Sequence, residues 1–321
     1  MTRPKITIVG AGNVGAQTAF LIATKGLGDL VLIDIDEKAA KGKALDLFES
    51  IPLLDHTVSV IGSTDYKLTK DSQIVVVTAG VPRKPGMSRE DLIDTNAKIM
   101  TTIMSNVVKY SPDCILIIVT NPLDEMVYLA KRLSKFPRQR VLGMAGILDT
   151  TRFQAFTAQA LEVQPQQVSA LVLGGHADAM LPLSSLATVG GVPLATLLSS
   201  QKIQELIDRT RKAGGEIVDI MGTSAYYAPA ASLTLMIESI LTDQKKILPC
   251  CAELQGEYDQ KGVFIGVPCV LGKKGMESIV EVPLSTEEKT IFTKTIEDIK
   301  TRYPLLNKYS STSFLGKLFK S

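Results

Sequence analysis

Histidine occurs only twice in this chain of 321 residues, as His56 and His176, and tryptophan does not occur at all. The four cysteines, Cys114, Cys250, Cys251 and Cys269, form no CxxC pair and have no histidine at ligand spacing. That pattern argues against a zinc site or a disulfide framework, so no metal is expected and the thiols read as those of a cytoplasmic protein. No apolar run approaches the roughly 18–20 residues needed to cross a bilayer. The start MTRPKITIVG lacks the apolar stretch and small-residue cleavage site of a signal peptide. Lys and Arg number 35 against 33 Asp and Glu, and the cations are scattered. A concentrated basic footprint is missing, so neither nucleic acid nor membrane is an expected partner.

What is present is ample apolar material: 45% of residues are hydrophobic and 21% charged, enough for two domains with real cores. Short β-branched runs alternate with helical patterns through the first half. KITIVG (5–10), DLVLID (29–34), TVSVIG (57–62), QIVVVTA (73–79), CILIIV (114–119) and RVLGMA (140–145) read as strands. Continuous apolar strands separated by helices predict a parallel sheet covered on both faces. After about residue 146 the alternation weakens. A helix LDTTRFQAFTAQAL, a strand QVSALVLG, a polar helix around 201–214, an apolar one around 228–241, strands GVFIGVPCVLG and SIVEVPL and a last helix TEEKTIFTKTIEDIKTRY follow. The fold class is therefore α/β: a doubly wound Rossmann-type domain over 1–145, a mixed α+β domain over 146–307, and a tail over 308–321.

The first strand runs into GAGNVG, with Gly10, Gly12 and Gly15 in a GxGxxG spacing. Alone, that is an ordinary strand-to-helix turn. Here it follows a strand, opens a helix and precedes an acidic strand end, Asp34, about 20 residues on. Gly10 permits the tight turn, Gly12 lets the backbone approach a diphosphate, and Gly15 lets helix and strand pack. The turn Gly10, Ala11, Gly12, Asn13, Val14, Gly15 is the candidate cofactor cradle, with the diphosphate on the helix N-terminus. Asp34 can accept from ribose hydroxyls and repels a 2′-phosphate, which favours NAD over NADP.

GVPRKPGMSREDL (80–92) leaves the carboxyl edge of the sheet, and its Pro82, Pro85 and Gly86 exclude regular structure. Arg83 and Arg89 sit on it. Two guanidinium forks suit capture of a small carboxylate, though a solvated basic loop is the alternative for the loop taken alone. In GILDTTRF, Asp149 and Arg152 share one helix face, as would a capping Asp with a surface Arg. His176 then stands in LVLGGHADAML, behind Gly174 and Gly175.

Taken together, GAGNVG, VLID, TAGVPRKPGMSR, TNAKI, VTNPLD, GILDTTRF and GGHAD, in this order over roughly residues 5–305, resemble the lactate/malate dehydrogenase family. The resemblance implies roles. His176 would accept the 2-hydroxyl proton, with Asp149 holding its ring. Arg152 would bind the C1 carboxylate and Arg89 would polarise the C2 oxygen. Asn121 would bond substrate, while Asn96 and the backbone of Val119, Thr120 and Asn121 would contact NAD. A base titrating near neutrality is what loss of a hydroxyl proton with a hydride requires, and histidine fits.

Arg83 selects the substrate within that family. A second carboxylate must be paired on leaving water, and lactate-oxidising members carry a neutral glutamine at this position. Ala225, where they carry threonine, leaves room for the larger substrate. The expected reaction is thus NAD-dependent interconversion of (S)-malate and oxaloacetate. The rival readings are a dehydrogenase of another 2-hydroxy acid and a non-catalytic dinucleotide-binding module. A homodimer or homotetramer is implied by the resemblance. Two departures stand out. Ala177 replaces the family's glycine after the histidine, and the tail KYSSTSFLGKLFKS extends past the last helix; disorder is the default expectation for it, and packing on a neighbour through the apolar stripe Phe314, Leu315, Leu318 and Phe319 is the alternative.

Overall fold

The structure is a computed structural model that describes residues 3–82 and 86–310, with Asp178 and Ser310 described by backbone alone. The first half alternates strand and helix: β1 (Lys5–Val9), α1 (Asn13–Thr24), β2 (Asp29–Ile33), α2 (Glu37–Ser50), β3 (Val60–Ser63) and β4 (Ile74–Val77). Then come α3 (Arg89–Tyr110), β5 (Ile115–Ile118), α4 (Leu123–Ser134) and β6 (Val141–Gly143). These six strands are parallel in the order 3-2-1-4-5-6, so the strand order reverses between β1 and β4. Ligands of such sheets bind in the crevice at that reversal, beyond the carboxyl ends of the strands.

Period-two side chains explain why both faces are covered. Ile6 and Ile8 of β1, Leu30 and Leu32 of β2 and Ile74 and Val76 of β4 feed one apolar cluster. Val9, Val31, Val75 and Val77 feed another on the opposite face. Helix α1 meets the sheet through Gly15, Thr18, Ala19, Ile22 and Ala23, the i, i+3, i+4, i+7, i+8 stripe of an amphipathic helix. Each fully buried Ile or Val contributes about 1.5–3 kcal/mol of transfer free energy, which makes this sheet a rigid base for the loops at its edge.

The second half holds α5 (Gly146–Leu161), β7 (Val168–Ser169), β8 (Val172–Gly174), β9 (Met180–Pro182), β10 (Thr188–Val189), β11 (Val192–Pro193) and α6 (Leu194–Leu197). It continues with α7 (Ser200–Met221), α8 (Tyr227–Leu241), β12 (Lys246–Gln255), β13 (Lys261–Gly272), β14 (Gly275–Ile279) and α9 (Thr286–Arg302). The main sheet does not stop at the domain boundary. β12 lies antiparallel to β6 through Cys251 and Gly143, and the order runs on through β13, β8 and β9.

Four sequence expectations change. SIVEVPL is strand only in its first two residues, because β14 ends at Ile279. QVSALVLG is not one strand: β7 joins a three-stranded sheet with β10 and β11, while β8 joins the main sheet, so the chain changes sheets at Ala170–Leu171. β12 was not expected. Its Pro249, opposite Pro268 of β13, offers no N–H to a ladder and breaks the β-branched pattern by which strands are recognised. The expected tail begins later than residue 308. A 3-10 helix over Tyr303–Ser310 follows α9, and its Leu306 and Tyr309 are buried in the first-domain cluster beside α3 and α4. The stripe at 314–319 lies outside the described residues. No helix among the described residues is long and apolar enough to cross a membrane.

Candidate active site

The glycine turn closes against β4. Gly10 has φ +108°, and a β-carbon there would fall 2.6 Å from Ala79 N. One at Gly15 would fall 2.0 Å from Gly10 O, so helix and turn touch only because the residue is glycine. Gly12 differs: it is the N-cap of α1, no side chain caps that end, and the space in front of it is open. An uncapped helix N-terminus facing open space through a glycine is a cradle for an anion. Asp34, at the end of β2, is anchored by Ala11 N–H to Oδ2 (2.7 Å) and Asp36 N–H to Oδ1 (3.1 Å). These residues fit a dinucleotide, with the carboxylate held ready beside the turn.

Two loops from neighbouring strands are tied together by Asn96. Its side chain is fully buried. The amide donates to Asn121 O (2.6 Å) and Val81 O (3.1 Å), and Oδ1 accepts from Val81 N (2.8 Å). Asn96 therefore acts from behind the site, holding Val81 and Asn121 at the wall. Val14, Thr78, Gly80, Val81, Val119, Thr120 and Asn121 line a cavity of about 1340 Å³. Arg83 lies outside the described residues.

Arg89 is the first residue of α3, fixed there by a reciprocal cap in which Ser88 Oγ accepts from Asp91 N and Asp91 Oδ2 accepts from Ser88 N. It does not line the cavity. Its Nη2 lies 3.7 Å from Oε1 of Glu125, a buried carboxylate also paired with Arg302.

On the other wall, α5 carries Asp149 and Arg152 one turn apart. Asp149 is 1% exposed. His176 Nδ1 meets its Oδ2 at 2.9 Å, and Arg152 Nη1 donates to its Oδ1 at 3.2 Å. An ionised carboxylate only accepts, so Nδ1 of His176 carries the proton and Nε2 is left with its lone pair free to accept one. Burial works to lower the pKa of His176, but the charge and hydrogen bond of Asp149, helped by Asp124, raise it on balance. Arg152 Nε is buried with no hydrogen-bond partner. An unmet charged donor costs about 1–3 kcal/mol, which an incoming carboxylate recovers. The other histidine, His56, packs beside Gly26 and is absent from the cavity lining.

Sequence reasoning missed most of the far wall. Helix α7 lines the cavity with Asp208, Arg211, Lys212 and Asp219, and the loop after it adds Ser224 beside Ala225, the one residue of this wall that the sequence had pointed to. The only local signal was that helix's long polar face. Asp124 beneath His176 and Glu125 beside Arg89 were also missed: Asp124 closes VTNPLD but was given no role there, and Glu125 belongs to none of the motifs. Among the described residues no group of three His, Cys, Asp or Glu side chains is placed to hold a metal.

Comparison with known proteins agrees with this architecture. Residues 4–143 match the lactate/malate dehydrogenase NAD-binding domain, and residues 147–305 match the family's alpha/beta C-terminal domain. A malate dehydrogenase of Geobacillus sp. (strain WCH70) is 50% identical over 303 residues, spanning 94% of this chain and 97% of that protein. One from Bacillus subtilis (strain 168) is 48% identical over 95% of this chain and 99% of its own length. The solved malate dehydrogenase of Cryptosporidium parvum superposes with a TM-score of 0.93 at 43% identity, covering 96% of this chain and 100% of that one. The lactate dehydrogenase of the same organism, complexed with lactic acid and nicotinamide adenine dinucleotide, has a TM-score of 0.93 at 39% identity, covering 96% and 99%. With the two domain models together matching nearly the whole chain and an anion cradle leading to a paired His, Asp and Arg, the chain belongs to the lactate/malate dehydrogenase family and is an NAD-dependent oxidoreductase.

Proposed function

We propose that the chain is a malate dehydrogenase that interconverts (S)-malate and oxaloacetate. The observation that carries this reading is the Asp149 carboxylate, bound by His176 on one oxygen and Arg152 on the other, while Arg152 Nε stays buried and unpartnered. A substrate carboxylate set on that guanidinium supplies the missing acceptor and fixes the 2-carbon relative to the imidazole.

When bound, NAD supplies the hydride acceptor. The turn Gly10–Gly15 and Asp34 would hold its diphosphate and ribose, and the backbone of Val119, Thr120 and Asn121 would face its other end. In the oxidative direction His176 takes the 2-hydroxyl proton on Nε2 as the C2–H electron pair departs, leaving a carbonyl. Asp149 stabilises the imidazolium that results. In the reductive direction the same imidazolium returns the proton. Asn121 bonds the substrate, and Arg89 polarises the C2 oxygen once it has left Glu125.

Arg83 supports malate over lactate, since it offers a partner to the second carboxylate that pyruvate lacks. Ala225 in the cavity lining and the naming of the bacterial relatives point the same way. Leaving a carboxylate unpaired in a closed site costs about 2–5 kcal/mol, roughly 30- to several-thousand-fold in kcat/KM. NADH oxidation measured with oxaloacetate and with pyruvate is the test, run with NADPH as a control. Oxaloacetate should win by at least about 30-fold, and a preference for pyruvate rejects the reading. Arg83→Gln should erode oxaloacetate turnover far more than pyruvate turnover. A homodimer or homotetramer in the cytoplasm completes the proposal, and light scattering checks the assembly.

A further inference from the structure

We infer that Asp124 is a positioning residue for His176, gripping the histidine's backbone from below while Asp149 grips its ring. The inference rests on the reading of His176 as the base. Asp124 stands in the first turn of α4, immediately after the Asn121 loop. Its side chain turns inward and is 5% exposed. Oδ2 accepts from His176 N–H at 3.4 Å. A β-carbon at Gly175 would fall 3.2 Å from the same oxygen, so glycine there is what lets the carboxylate come up under the loop. Oδ1 is buried with no partner.

That arrangement is costly for a first-turn residue that caps nothing, since the N-cap of α4 is Pro122. An Asn or Ser would satisfy the first turn without burying a charge, and a half-satisfied buried carboxyl costs several times what one hydrogen bond returns. The groups facing it come from every side. They are Glu125 on its own helix, the Cys251 thiol of β12, Tyr303 after α9, and His176 itself. Glu125 is engaged by Arg302 and Arg89. Only His176 among these has proton chemistry to perform.

Burial, and then the charge of Glu125, push the Asp124 carboxyl up to about 7. The influence is mutual, because a charged His176 lowers the Asp124 value and an ionised Asp124 raises that of His176. Uptake of the substrate proton by the imidazole therefore favours the ionised carboxylate beneath it, which in turn stabilises the imidazolium. A purely structural contact has no such dependence.

The test uses the full chain with Asp124→Asn, which keeps an acceptor for His176 N–H and removes the charge, and Asp124→Ala, which removes both. NADH affinity by fluorescence should stay within about twofold for each. For Asp124→Asn the acidic limb of kcat/KM for malate oxidation should move to lower pH, with the plateau reduced less than about tenfold. For Asp124→Ala the plateau should fall about tenfold or more through kcat, with KM little changed. Folded variants that keep both the limb and the plateau of the parent overturn the proposal.

A second measurement needs no variant of Asp124. With only His56 and His176 in the chain, labelled imidazole signals can be followed in the parent protein. The His176 signal should show a second inflection near pH 7 beside its own, and a single simple titration overturns the coupling. His176→Gln is the separate control. If it retains turnover the base itself is misassigned, whereas a dead His176→Gln beside unaltered Asp124 variants rejects the positioning role alone.

Discussion

Arg89 Nη2 sits 3.7 Å from Glu125 Oε1, so the arginine proposed to polarise the substrate is held by a protein carboxylate outside the cavity. The pair is lopsided: the Arg89 side chain is 52% exposed and that of Glu125 only 1%. To act on substrate, Arg89 must exchange one carboxylate partner for another. A half-exposed ion pair contributes about 0–1 kcal/mol after screening. Glu125→Gln should therefore lower KM for oxaloacetate by no more than about fivefold and leave Arg302 with Asp298 as its remaining carboxylate partner. Steady-state kinetics with a thermal melt reads both, and a raised KM with unchanged stability would contradict the exchange.

Ala177 has φ +66°, in the left-handed region that favours glycine. A non-glycine residue there carries about 1–2 kcal/mol of steric cost. Ala177→Gly relieves it but gains unfolded-chain entropy, so the expected net effect is a stabilisation of about 0.5–1 kcal/mol in urea unfolding. Because the residue adjoins His176, kcat should change together with stability. A destabilised Ala177→Gly would mean that the methyl contributes packing the backbone cost does not outweigh.

The raised pKa of His176 has a definite sign in kinetics. Under the proposed mechanism malate oxidation needs neutral imidazole at His176, so its kcat/KM should rise as pH climbs through the raised value and level off above it. Oxaloacetate reduction needs imidazolium and should fall over the same interval. In stability the contribution is complete below the unfolded histidine value, about 6.5, and is lost as pH rises through the folded one. Initial rates in both directions across pH 5–10 check this, and parallel profiles for the two directions would remove His176 as the proton carrier.

The role proposed for Arg152 is geometric, and charge alone does not fill it. Its Nη1 donates to Asp149 while Nε waits buried. Arg152→Lys keeps the charge but offers no planar fork, and kcat/KM should drop by about 100- to 1000-fold with NADH affinity unchanged. Equal losses in cofactor binding would place the damage in the fold instead of the substrate contact.

Much of this protein was readable from short stretches. The GAGNVG turn, the six parallel strands and the pairing of Asp149 with Arg152 all depend on residues within one or two turns of each other, where periodicity and glycine placement carry the information. The second half was harder to read. Strand β12, interrupted by Pro249, exists because β6 and β13 flank it, and QVSALVLG divides because two different sheets claim its ends.

The site shows the same division more sharply. Its residue types were identifiable along the chain, but their partners come from far away in it. Asp149 reaches His176 across 27 positions, Asp124 across 52, and Arg302 reaches Glu125 across 177. Local pattern specifies which faces are apolar and where the backbone must turn, because those preferences act between near neighbours. Which buried carboxylate lies beneath the imidazole, and which one holds Arg89, is set by how sheets and helices pack. Burial then raises the strength of each charge contact by removing the water that would otherwise screen it.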